Sequence, residues 1–232
     1  MSIQSEIVDQ VGIISLNRPE KANAYDRAHL DALKLAFEQL SAQCRVVIIR
    51  SSDPRFFCSG ADLNELKQAT PEDAKNLRSQ TVFTTIARSP TVSIAVIDGP
   101  AVAGGCELAL AADLRVIGAN AVFKLPEIGL GIIPAAGGCT RISTLLGASV
   151  AKSVILGGQD ISADQAIRWG LGVDGHANAD ATATAWAQRL TQLKPEALRA
   201  AKRIINAASE DASLADERAA QSELYALRTD DD

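Results

Sequence analysis

Two glutamates stand where a charged side chain is costly. Glu107 lies in Ala103-Gly104-Gly105-Cys106-Glu107-Leu108-Ala109-Leu110, where every neighbour is apolar or glycine. Glu127 lies in Phe123-Lys124-Leu125-Pro126-Glu127-Ile128-Gly129-Leu130-Gly131, again a carboxylate within a mainly apolar run. A buried carboxylate must be paired, hydrogen-bonded or neutralised. Two of them in such surroundings point to an acid/base pair whose protonation states are pushed apart.

Two glycine-bearing turns add possible anion donors. In Phe56-Phe57-Cys58-Ser59-Gly60-Ala61-Asp62-Leu63-Asn64-Glu65-Leu66, Gly60 permits a tight turn and Asp62 can cap a short helix. The Ala61 amide would then face outward at the helix entrance. In Asp98-Gly99-Pro100-Ala101-Val102-Ala103-Gly104-Gly105, the paired glycines let backbone approach a ligand, and the Gly104 amide lies at the positive end of the following helix. Together the Ala61 and Gly104 amides can form a two-donor oxyanion hole, with Glu107 one turn on along the same face. Each stretch also has a plainer reading: a capping charge at Glu127, an N-cap at Asp62 and close helix packing at Gly104-Gly105.

Other chemistries fit less well. The net charge of −5 and an aromatic content of 4% argue against a nucleic-acid-binding surface. Cys44, Cys58, Cys106 and Cys139 have no Cys-x-x-Cys spacing, and His29 and His176 lie far apart, so neither a disulfide framework nor a metal site is expected. Ser59 lacks a nucleophile-elbow context, and Gly129-Leu130-Gly131 is followed by Pro134 without a third glycine in register. With 47% hydrophobic residues the chain can bury a real core. No signal pattern or spanning apolar run is present, so a soluble, cytoplasmic protein is expected.

The elements that must position these residues are partly legible. Ile3–Val8 and Val11–Leu16 read as strands around an Asp9-Gln10 turn. Asp26 caps a helix whose apolar positions are Leu30, Leu33, Phe37 and Leu40. Val46–Ile49 and Val92–Ile97 read as buried strands, and a single helix is expected from Thr70 to Arg88. Gly104 to Ala112 reads as a buried helix, followed by short strands at Leu114–Ile117 and Ala121–Phe123. Ser162-Ala163-Asp164-Gln165 is a capping box for a helix ending near Gly170. Three helical segments then follow, roughly Ala179–Leu193, Pro195–Ala208 and Ser213–Leu227. Alternating strands and helices place the chain in the α/β class.

Five motifs in order carry a family resemblance: Asn17-Arg18-Pro19-Glu20-Lys21-Ala22-Asn23-Ala24, Cys58-Ser59-Gly60-Ala61-Asp62-Leu63, Gly104-Gly105-Cys106-Glu107-Leu108-Ala109, Pro126-Glu127-Ile128-Gly129-Leu130-Gly131, and the run from Pro134 to Arg141. On them the chain resembles the enoyl-CoA hydratase (crotonase) superfamily along nearly its whole length. The resemblance implies a spiral of repeated β-β-α units over residues 1–177 and an all-helical region over 178–232 that builds a homotrimer or a dimer of trimers. It implies a coenzyme A thioester as substrate, with coenzyme A part of that substrate and no further cofactor, and no nucleic-acid or membrane partner.

In residue terms it implies catalytic acids at Glu107 and Glu127 and oxyanion donors at Ala61 and Gly104. Substrate or coenzyme binding is implied at Lys21, Ala22, Ala24, Ser59, Gly60, Asp62, Leu63 and Gly105. The implied reaction is addition of water across the double bond of a trans-2-enoyl-CoA. An enoyl-CoA isomerase and a non-catalytic acyl-CoA-binding member are the alternatives on the same scaffold, and keeping both acids favours hydration. Leu63, Leu66 and the Thr70–Arg88 helix are expected to floor the acyl pocket. Three residues depart from the common family pattern: Ala103 stands where many relatives have glycine, and Ala135 and Cys139 replace residues often seen as glycine and threonine.

Overall fold

The computed structural model describes residues 2–207 together with Ser222 and Ala226. Its strands are β1 (Ile3–Val8), β2 (Val11–Leu16), β3 (Val46–Ser51), β4 (Val92–Ile97), β5 (Ala101–Val102), β6 (Leu114–Ile117), β7 (Val122–Lys124), β8 (Ile161–Ser162) and β9 (Val173–Asp174). Its helices are α1 (Arg27–Gln43), α2 (Leu63–Gln68), α3 (Pro71–Lys75), α4 (Arg78–Arg88), α5 (Gly104–Ala111), α6 (Gly138–Ile155), α7 (Ala163–Arg168), α8 (Ala179–Thr191) and α9 (Pro195–Ala207). The expected segment Ser213–Leu227 lies outside the described residues apart from its two described positions.

A six-stranded sheet runs β1-β2-β3-β4-β6-β9, antiparallel at β1/β2 and parallel thereafter. The β1–β2 turn places Asp9 and Gln10 at positive φ, the backbone that a two-residue hairpin requires. A smaller sheet, β5-β7-β8, lies beside it. The period-2 alternation of strand side chains divides the core. Val47, Ile49, Ala95 and Ile97 join Leu33, Phe37, Phe83 and the apolar residues of α5 on one face. Val46, Ile48, Ile94 and Val96 point to the other, where Ala183, Ala187 and Leu190 of α8 cover them. This two-sided cover explains why β3 and β4 read as continuous apolar runs rather than alternating ones. Among the described residues, no helix is long and apolar enough to cross a membrane.

The expected helix from Thr70 to Arg88 is two helices. Thr70 does form a capping box with Asp73, but α3 stops at Asn76 and α4 begins after Leu77. The break has a packing cause. Ala74 of α3 sits in a separate small cluster with Ile132, whereas Val82, Phe83 and Ile86 of α4 enter the main core. One straight helix presents a single apolar stripe and does not serve both clusters. Leu63, expected in the pocket floor, is 63% exposed, and Leu66 leans on the Ala74–Ile132 cluster. Helix α6 was not legible as an element because Gly137, Gly138 and Gly147 interrupt its pattern, and Gly147 holds a non-helical φ of 81° at a kink.

All eight residues of α5 are buried. Its C-terminal end is closed by the buried Arg115, whose guanidinium donates to Ala112 O at 2.6 Å and to Ala109 O at 3.3 Å. A cation there meets the negative end of the helix and satisfies carbonyls that lack intrahelical partners. Burial lowers the Arg115 pKa to about 10, still far above neutrality.

Candidate active site

Glu107 sits one turn into α5 and is 4% exposed. Its Oε1 accepts two main-chain hydrogen bonds, from Ala136 N at 2.7 Å and Gly138 N at 2.9 Å. Gly138 is the first residue of α6, so the carboxylate is held at the positive end of a second helix. Those donors offset the cost of burying its charge. The Arg141 guanidinium donates back to Ala136 O at 2.8 Å and tightens the same loop.

Glu127 has the opposite surroundings. It opens a 3-10 turn, Glu127–Leu130, after Pro126 and is 5% exposed. Its Oε2 is buried with no hydrogen-bond partner among the described residues. Desolvation, only partly opposed by its own main-chain amide, raises its pKa from the ordinary 4.5 to about 7. The two acids share one neighbourhood: both act electrostatically on the buried Cys106 thiol and on the Tyr25 phenol. Parallel pairing of β5 with β7, and an Ala103 N–Lys124 O bond of 2.8 Å, carry the chain leaving β7 past the start of α5.

A folded-state pKa above the unfolded one makes the neutral form of Glu127 the stabilising form. Its contribution is fully present below about pH 4.5 and is lost as pH rises through about 7. Thermal unfolding of the wild type and of Glu127→Gln should therefore diverge across that window, the difference shifting in favour of the variant as pH rises. Parallel melting-temperature profiles from pH 4.5 to 8 would contradict this.

The two proposed amide donors are set by main-chain pairing. Tyr25 N donates to Gly60 O at 2.9 Å, and Asp62 N donates to Tyr25 O at 2.8 Å, forming a parallel bridge between Tyr25 and Ala61. In a parallel bridge the bracketed residue's own amide points away from its partner, so the Ala61 N–H faces away from Tyr25. The segment is tied on its other side by Val102 N to Cys58 O at 2.9 Å. This brings Gly60 against α5: a Cβ built on Gly60 would lie 3.0 Å from Gly104 N. The Gly104 amide opens α5 and has no intrahelical acceptor. The Gly60–Ala61 turn thus lies against the start of the buried helix that carries Glu107, and the chain leading to Glu127 passes the same start.

The sequence motifs of this arrangement match a known family. A model of the enoyl-CoA hydratase/isomerase family matches residues 6–232. The chain belongs to that family. Among its relatives, the probable mitochondrial enoyl-CoA hydratase 2 of Arabidopsis thaliana is 41% identical over 203 residues, covering 83% of this chain and 66% of that protein. The short-chain-enoyl-CoA hydratase of Clostridium acetobutylicum is 31% identical over 232 residues, covering 96% of this chain and 89% of that one. The crystal structure of an enoyl-CoA hydratase from Bacillus anthracis superposes with a TM-score of 0.85 at 32% identity, covering 100% of this chain and 93% of that one. The α/β fold is therefore the crotonase fold that the motifs implied.

Within this family framework the other expected residues fall into place unevenly. Ala22 and Ala24 lie beside the Ser59–Gly60 turn, with Ser59 N donating to Ala22 O at 3.0 Å. Lys21 is exposed at the end of a 3-10 turn, Pro19–Lys21. Asp62 caps α2 through Asn64 N and lies 3.5 Å from Arg18, so its carboxylate is already engaged. Gly105 packs so tightly on Cys58 that a Cβ there would overlap the Cys58 carbonyl. Leu63 lies exposed on α2. Burial keeps the Cys58 thiol at a pKa of about 12, so it is not a nucleophile.

Three contributors were not singled out from sequence. Asn23 is 5% exposed and staples the segment, its Nδ2 donating to Ser51 Oγ at 2.8 Å and Phe57 O at 2.9 Å. The Ala136 and Gly138 amides hold Glu107, and Tyr25 joins the loop of Ala61 to α5. The glycine pair at the start of α6 was the available signal for the Ala136 and Gly138 amides. A cavity of about 870 Å³ between α4, α6 and α9 is lined by residues that include Arg88, Asp113, Arg141 and Lys202 and neither glutamate.

Proposed function

We propose that this protein hydrates trans-2-enoyl-CoA thioesters. The observation that carries the reading is the contrast between its two acids. Glu107 is fixed as an acceptor by two amides at a helix start, while Glu127 is desolvated, unpartnered at Oε2 among the described residues and poised to hold a proton near neutral pH. Glu107 holds water and takes its proton as the oxygen adds to Cβ. The electron pair of the double bond moves to the thioester oxygen, where the Ala61 and Gly104 amides stabilise the enolate. Return of that pair forms the Cα–H bond with a proton from Glu127. Two preorganised donors of this kind contribute roughly 10²–10³ in rate for each one removed, and general acid–base help roughly 10²–10⁴.

In this reading the coenzyme is part of the substrate and no resident cofactor is required. Its nucleotide end lies along Lys21, Ala22 and Ala24, and Ser59, Gly60, Asp62, Leu63 and Gly105 line the thioester arm. Assembly as a homotrimer or a dimer of trimers accompanies it. The names of the relatives support hydration, and so does the presence of two acids, since moving a double bond needs only one. Incubation with crotonyl-CoA should remove the absorbance of the conjugated thioester and yield 3-hydroxybutyryl-CoA. Binding of crotonyl-CoA without conversion, or isomerisation of a 3-enoyl-CoA without hydration, would overturn the proposal.

A further inference from the structure

We propose that Tyr25 is a positioning residue of this site, its main chain fixing the loop of Ala61 and its hydroxyl seated on Gly104, so that one side chain sets the separation of the two amide donors. The role assigned to those donors rests on the hydratase reading above. The contacts themselves do not.

Three elements meet at Tyr25. Its amide and carbonyl bracket Ala61 through Gly60 O and Asp62 N. Its ring packs edge-on against the buried Phe83 of α4, with centroids 5.9 Å apart and planes at 87°. Its hydroxyl hydrogen-bonds the side chain of Ser79, also on α4, and Ser79 is 6% exposed. That hydroxyl then lies over α5. The three heavy atoms closest to a Cβ built on Gly104 all belong to Tyr25, and the hydroxyl oxygen would overlap it. Gly104 therefore lacks a side chain because the tyrosine occupies the space.

The arrangement does more than fill a gap. Ala61 and Gly104 come from separate segments, and the hydroxyl is the part of Tyr25 that reaches from one to the other. Burial, reinforced by Glu107, holds the phenol well above its ordinary value, so the hydroxyl stays neutral beside the two acids. A neutral phenol pinned by Ser79 and the Phe83 ring is a rigid spacer, and small errors in donor placement are costly in rate.

Tyr25→Phe keeps the ring, its packing on Phe83 and the main-chain bridge, and removes only the hydroxyl. Hydration of crotonyl-CoA should lose about 5- to 20-fold in kcat, with KM changing by less than about twofold and the melting temperature nearly unchanged. Ser79→Ala, which frees the hydroxyl without removing it, should move kcat in the same direction by less. The readout independent of turnover is the thioester C=O stretch of bound butyryl-CoA, measured by difference infrared spectroscopy. The wild type should lower that frequency on binding, and Tyr25→Phe should lose part of the shift. A wild-type shift retained in full by Tyr25→Phe, together with unchanged kcat, would overturn the role of Tyr25 and leave the hydratase reading standing. No shift in the wild type would overturn the two-donor reading and this inference with it.

Discussion

Glu127→Gln should lower kcat for crotonyl-CoA hydration by about 10²–10⁴-fold while leaving thioester binding within a few-fold of the wild type. The substitution keeps the shape of the side chain and removes its exchangeable acid proton. It also removes a group whose desolvation places its pKa at about 7, the range in which an acid both holds and releases a proton near neutrality. Binding should survive because the amides of Ala61 and Gly104 and the segment Lys21–Ala24, proposed to meet the coenzyme, are untouched. Stopped-flow loss of the enoyl absorbance, paired with calorimetric titration of butyryl-CoA, measures both quantities. Turnover within about threefold of the wild type would remove Glu127 from the proton-transfer steps.

Gly138→Ala should cost about 10²-fold in kcat although position 138 was not among the expected site residues. An added Cβ would lie 2.5 Å from Pro134 Cβ and 3.0 Å from Glu107 Oε1. The start of α6 must shift, and the Gly138 amide that holds Glu107 at 2.9 Å shifts with it. A displacement of about 1 Å in a group that aligns a reactant can cost on the order of 10² in rate. Overpacking of this kind costs stability by about 1–3 kcal/mol, so the variant should fold with a lowered urea midpoint and an unchanged slope. The prediction is specific to kcat: butyryl-CoA affinity should change little. A Gly138→Ala enzyme with unimpaired kcat would mean that Glu107 does not depend on its anchor.

The two predictions rely on different kinds of legibility. Glu127 was visible in the sequence because a carboxylate inside an apolar run has few cheap explanations. Gly138 was not, because its importance comes from an acceptor 31 residues earlier. Tyr25 was hidden in the same way: it reads as one partly apolar residue before a helix cap, yet it touches Gly104 across the fold. The Thr70–Arg88 segment shows the limit for elements. Its capping signal was correct at Thr70, but the break at Asn76–Leu77 follows from Ala74 packing on Ile132, a partner that local periodicity does not report.

By itself the sequence determined the early hairpin, the capped helix after Asp26, the buried strands β3 and β4, the buried helix carrying Glu107, and the membership signalled by five ordered motifs. These features depend on side-chain type at spacings of two, three or four residues, and such spacings are set by the pleat and the helical turn. Only the tertiary structure decided that Glu107 is anchored while Glu127 has no partner at Oε2 among the described residues. The same holds for the meeting of Ala61 with Gly104 and the seating of Tyr25 between them. Hydrogen bonding and desolvation act between groups that are near in space, and the residues that make these contacts lie tens of positions apart until the sheet and α5 bring them together.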